Sequence, residues 1–267
     1  MTASVGDILE ALEALAPERL AEEWDNVGLQ LGSRRWPVHR VMTALDPTPG
    51  VIQEVQAREG DVLVTHHPLI FSPLRSLDLD TPLGSMLLSL LSGRIAVIAA
   101  HTNLDAVRGG VNDILASALH IQMEDILQPS ALDGSCGIGR VGRLPSVTTL
   151  EDLAADIKDR MAVPHVRFAG DPQLPVRCVA LCSGSGTSLT DSFLDTTAEV
   201  FITGDVRYHQ ARDIEAHGRG VIDIGHFESE HLILEKLAGL LAKQLAKRGL
   251  DVPVEACLSE RAPFRTI

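Results

Sequence analysis

An internal repeat constrains this chain more than any other feature. HRVMTALD (His39 to Asp46) lines up with VRCVALCS (Val176 to Ser183), and VLVTHHPL (Val62 to Leu69) with VFITGDVR (Val200 to Arg207). IAVIAAHTNLD (Ile95 to Asp105) lines up with GVIDIGHFESE (Gly220 to Glu230). The spacing between the first two blocks agrees to within one residue, and the first copy carries an extra loop, PLIFSPLRSLDLDTP. Each block opens with an apolar run of strand length, and the stretches between blocks carry the apolar stripe of amphipathic helices. Two copies of a helix–strand–helix–strand–helix–strand unit follow, which is an α/β class with mixed sheets flanked by helices and not a solenoid. The expected halves are residues 1–132 and 133–267. The glycine-rich stretch from Asp133 to Arg143 is the expected hinge.

The chemistry gathers where these strands end. Val62 to Thr65 reads as a strand buried on both faces. Pro68 donates no N–H and biases His67 toward an extended conformation, so the strand stops at His66 and His67. In an open α/β sheet, ligands bind at the carboxyl edge of the strands. Adjacent imidazoles on extended chain point different ways and suit two different ions. Two adjacent histidines alone are most often ordinary loop residues, but the repeat adds more. His101 is followed four residues later by Asp105, and His226 by Glu230. If a helix starts there, each pair shares a face. The six N and O donors, with no thiolate, suit two divalent transition-metal ions (Zn, Fe, Mn or Ni) better than Ca or Mg. The SGSGTS turn after the strand ending at Cys182 lacks a P-loop lysine. It reads as a tight turn first and an anion contact second. EEWDNVGLQLG, with Trp24, Asp25 and Asn26, reads as a loop and short strand beside the site or as a turn around a buried tryptophan.

Charge and composition exclude other classes. A net charge of -13 argues against a nucleic-acid partner held through its phosphates. It leaves room for a small anionic substrate, because metal charge dominates such a site locally. The N-terminus reads as an acidic amphipathic helix and not a leader, and no apolar run is long enough to span a bilayer, so the cytoplasm is the expected location. The four cysteines form no Cys-x-x-Cys pair, and Cys178 and Cys182, in a strand-like run, read as small hydrophobes.

VLVTHHPLIF, AAHTNLDA, GIGRVG, CSGSG, ITGDVRYHQA and DIGHFESE together resemble the GTP cyclohydrolase I type 2 homologue family, also described as Nif-like dinuclear-metal-centre hexameric proteins. The likeness runs from about Val5 to Leu258. It implies two intertwined α/β halves, a toroidal homohexamer and a two-metal site. It places the metal ligands on His66, His67, Asp105, His226 and Glu230, with His101 either a further ligand or a residue that orients one. The implied reaction is hydrolytic opening of the guanine imidazole ring of GTP with release of formate. Two other readings stand beside it: a phosphoesterase using the same ions, and a non-catalytic metal-binding or regulatory ring. Trp24 and Trp36 are the candidates for contact surface between copies.

Overall fold

The structure is a computed structural model that describes residues 2–265. The chain forms two compact units. One contains residues 2–104 together with 233–265, and the other residues 105–232. These units differ from the single cut at 132/133 read from the repeat. The carboxy-terminal helix Ile233–Lys247 and the strand Val254–Ala256 pack with the first unit.

The first unit is built on a five-stranded sheet in the order Val254–Ala256, Val41–Ala44, Val62–Thr65, Ala96–Ala99, Gly28–Leu31. The first four strands are parallel, and Gly28–Leu31 runs antiparallel at the edge. Met42, Ala44, Leu63, Ile95 and Val97 face a core that includes Val51, Val55, Leu87 and Leu90 from two helices. Those helices, Pro49–Ala57 and Pro82–Ser92, each start with a threonine cap followed by proline, which pre-sets the first turn. The other face takes the helix Ile233–Lys247, where the Thr43 hydroxyl donates to the Leu234 carbonyl at 3.2 Å.

The second unit repeats this order. Pro175–Leu181, Val200–Thr203 and Gly220–Asp223 are parallel, and Arg167–Ala169 runs antiparallel beside the third. Alternate residues feed two separate cores. Val179, Leu181, Val200 and Ile202 join Leu115, Leu150 and Ile157, whereas Cys178, Ala180, Cys182 and Phe201 join Phe193 and Ile214. Burial on both faces explains why these strands read as continuous apolar runs.

The glycine-rich stretch is not a hinge. Gly137–Thr149 is a strand of 13 residues, paired antiparallel with Gln122–Pro129 and with Pro175–Leu181. Its glycines permit close strand contact: a Cβ on Gly142 would sit 2.5 Å from the Gln122 carbonyl oxygen, and one on Gly139 2.8 Å from that of Leu181. The chain from His226 to Lys247 is divided into two helices, His226–Glu230 and Ile233–Lys247. The break follows Ser229, whose hydroxyl donates back to the His226 carbonyl at 2.7 Å and accepts the Gly184 amide at 2.8 Å. Glu230 therefore closes a short helix and does not open the long one.

All four cysteines are free. Burial pushes the Cys182 thiol well above its usual value and that of Cys257 up to about 12, so neither is a ready nucleophile. No helix among the described residues is long and apolar enough to cross a membrane.

Candidate metal centre

In the first unit His66, His67 and His101 come together at the carboxyl ends of two adjacent parallel strands. One ring nitrogen from each lies within 4.8 Å of the others. Ring centroids are 5.1 Å apart for His66–His67, 5.1 Å for His66–His101 and 5.4 Å for His67–His101. His66 is fully buried and the other two half-buried. The adjacent pair does diverge at its anchors. His66 Nδ1 meets the Ala100 carbonyl at 2.9 Å on one neighbouring strand, and His67 Nδ1 meets Asp46 Oδ1 at 2.8 Å beyond the other.

His101 Nδ1 lies 2.9 Å from Asp25 Oδ1. Burial would raise the Asp25 pKa, but hydrogen bonds from His101 and from the Thr102 hydroxyl and amide outweigh it and hold the carboxyl at about 2. Glu260 meets the same strand edge from the carboxy-terminal segment, accepting the Leu45 and Asp46 amides at 2.8 Å each. Burial raises its pKa against those two bonds.

In the second unit the short helix His226–Glu230 carries both of its candidate ligands. Its His226 Nδ1 lies 2.7 Å from Asp205 Oδ2, and its Nε2 lies 3.1 Å from Glu230 Oε2. Glu230 is only 3% exposed. The SGSG turn wraps it: Gly184 has φ 63°, and a Cβ there would fall 2.1 Å from Glu230 Oε1 and 3.3 Å from His226 Nε2. The turn thus serves a carboxylate of the chain itself, which agrees with its reading as a tight turn first. Asp105 lies in the short helix Thr102–Ala106; its Oδ1 accepts the Ser183 hydroxyl at 3.3 Å. Buried Asn112 donates to the Asp105 carbonyl at 3.1 Å and accepts the Ser183 amide at 2.9 Å.

These contacts decide the tautomers of three rings. A carbonyl or carboxylate oxygen only accepts, so in His66, His67 and His101 the Nδ1 carries the hydrogen and the lone pair of the neutral ring sits on Nε2, whereas in His226 both ring nitrogens face carboxylates. Four imidazoles, His66, His67, His101 and His226, share one feature, an Nδ1 within hydrogen-bond distance of an oxygen. Metal-ligating histidines have this arrangement. In the second unit the His226 Nε2 lies 3.1 Å from the buried Glu230 carboxylate. The donor set fits a divalent ion of borderline softness.

Asp46 and Asp205 were not singled out as site residues from sequence, and Asp25 only as part of a loop. Asp46→Asn and Asp205→Asn are each expected to weaken metal binding about 10–100-fold with little change in melting temperature, as measured by competition with a chromogenic chelator. Asp25 adds a pH dependence. Its folded pKa lies below the unfolded value of about 3.9, so its contribution is full above that value and is lost as pH falls toward 2. The expected contribution is about 2 kcal/mol. In chelator-treated protein, the stability gap between wild type and Asp25→Asn should close between about pH 4 and pH 2 in urea titrations. A gap independent of pH would show that the carboxylate charge is not the cause.

A protein of Clostridium perfringens named GTP cyclohydrolase 1 type 2 homolog is 36% identical over 265 residues, covering 98% of this chain and 99% of the relative. The crystal structure of a Staphylococcus aureus hypothetical protein superposes with TM-score 0.94 at 30% identity, covering 100% of both chains. A Bacillus cereus protein related to NIF3 shares the fold, with TM-score 0.93 at 24% identity over 100% of both chains. Residues 3–263 match the family described as Duf34/NIF3 (NGG1p interacting factor 3), and the chain belongs to that family.

Proposed function

We propose that this chain is a hydrolase dependent on two divalent transition-metal ions, held by His66, His67, Asp105, His226 and Glu230. The proposed reaction opens the imidazole ring of a guanine nucleotide and releases formate. The observation that carries this reading is the common preparation of four imidazoles, each with Nδ1 bonded to an oxygen, as in metal-ligating histidines. The name of the Clostridium perfringens relative supports the choice of substrate. The ions would supply Lewis acidity and lower the pKa of water toward neutrality.

The chain's own residues do the rest. Asp25, Asp46 and Asp205 fix three ring orientations and raise the basicity of the opposite nitrogens. The Gly184 turn holds the Glu230 carboxylate in place. His101, backed by the ionised Asp25 carboxylate, is either a further ligand or the group that carries a proton to and from the opening ring. We further propose a homohexamer, with His101 and its neighbours open to a small-molecule substrate.

The test combines three measurements on protein purified without chelator: elemental analysis, light scattering, and formate release from GTP with added Zn, Fe or Mn. Two ions per chain, a hexamer and stoichiometric formate are the expected results. Cleavage of simple phosphoesters without formate would favour the phosphoesterase reading. Two ions with neither activity would favour a metal-binding or regulatory ring.

A further inference from the structure

The EEWDNVG segment does more than anchor a histidine. Its three central residues act in three directions. Asp25 bonds His101 and Thr102. Asn26 donates to the Ile70 carbonyl, and Gln30, bonded to Asn26, accepts the Ile70 amide at 3.2 Å. Between these two ties Trp24 stands 58% exposed, beside Phe71 at 54%. The Trp24 and Phe71 ring centroids are 5.9 Å apart at 50°. Trp24 also meets His101 edge-on, with centroids 6.0 Å apart at 77°.

Two large aromatic rings left open to water at a site of otherwise polar donors need a reason. The chain beside each ring is tied, by Asp25 next to Trp24 and by the Asn26–Gln30 clamp on Ile70 next to Phe71. That lowers the backbone ordering entropy lost when a flat ligand stacks on them.

We propose that Trp24 and Phe71 form a stacking platform that holds a planar heteroaromatic ring beside His101. The proposal rests on the reading that His101 borders the reacting centre, and it specifies how the ring of the substrate is held there. Recognition is through the ring face, so the platform selects for a flat base over a sugar phosphate and tolerates different bases.

Tryptophan fluorescence tests this without turnover. The chain has two tryptophans, and Trp36 is covered on one side by Arg94, 5.6 Å from its ring centroid. Guanosine and adenosine should each quench the emission saturably, ribose 5-phosphate should not, and Trp24→Phe should remove most of the quenching. In equilibrium dialysis Trp24→Leu should bind guanosine about tenfold or more weakly, and Trp24→Phe should stay near wild type, as expected for loss and retention of one base–aromatic stack. Where GTP is turned over, Trp24→Leu should raise KM far more than it lowers kcat. Equal quenching by ribose 5-phosphate, no ring-dependent quenching, or a Trp24 emission typical of a buried indole in the assembled protein would overturn the proposal. Quenching without formate release would count against the proposed hydrolysis and leave the platform standing. Formate release without quenching would do the reverse.

Discussion

Replacing Glu230 by glutamine is expected to leave a folded, assembled protein that retains at most one ion tightly and no longer releases formate from GTP. Glu230 is 3% exposed, and it ends the helix His226–Glu230, where the helix dipole disfavours a negative charge. His226 Nε2 lies 3.1 Å from that carboxylate, and a cation bound beside the two would offset its burial. Glutamine keeps the size and can donate a hydrogen bond to Nε2, so the metal-free fold should be undisturbed or slightly stabilised. Elemental analysis, circular dichroism and the formate assay read the three parts separately. A variant that holds both ions and still turns over GTP would remove Glu230 from the site.

The second large effect is expected from Gly184→Ala. Its φ of 63° is left-handed, which costs an alanine about 1–2 kcal/mol before any contact is considered. The added methyl would also lie 2.1 Å from Glu230 Oε1, so the carboxylate must move or the turn must open. The urea midpoint should fall by the equivalent of about 2–4 kcal/mol, and metal content should fall with it. Gly249→Ala is the control. It also has positive φ, at 73°, but no atom within 4 Å of the new Cβ. It should lose the backbone cost alone and keep its metal. If both variants lose metal equally, general destabilisation explains the result and the cradle does not.

Much of this arrangement was legible in the chain. The strand Val62–Thr65 was readable to the residue, because a four-residue apolar run ends at two histidines and Pro68. The matching helices after His101 and at His226 followed from a histidine and an acid four apart at equivalent places in a repeat. Asp46 and Asp205 were not legible as site residues. Each is 21 positions from the histidine that it holds, and only the parallel register of neighbouring strands makes them adjacent. Spacing rules detect neighbours along a helix or strand and not across a sheet. Gly137, Gly139 and Gly142 misled for a related reason. Their local signal is flexibility, whereas their function, close backbone approach, depends on a partner strand that local composition does not reveal.

The division of the first unit into two chain segments has a consequence for synthesis. Residues 105–232 form a continuous unit, so none of its strands waits for a later segment of the chain. The first unit is different. Its strand Val41–Ala44 waits for Val254–Ala256 to pair with its open edge, and Thr43 waits for the helix that begins at Ile233. At ordinary elongation rates that wait is on the order of 10–40 s. Throughout it the nascent chain exposes an apolar parallel edge, the feature most prone to pair with another chain. The exposed stage of this protein's life is therefore its translation, and a chaperone that shields residues 41–44 would act on the nascent chain and have no surface to bind in the finished fold.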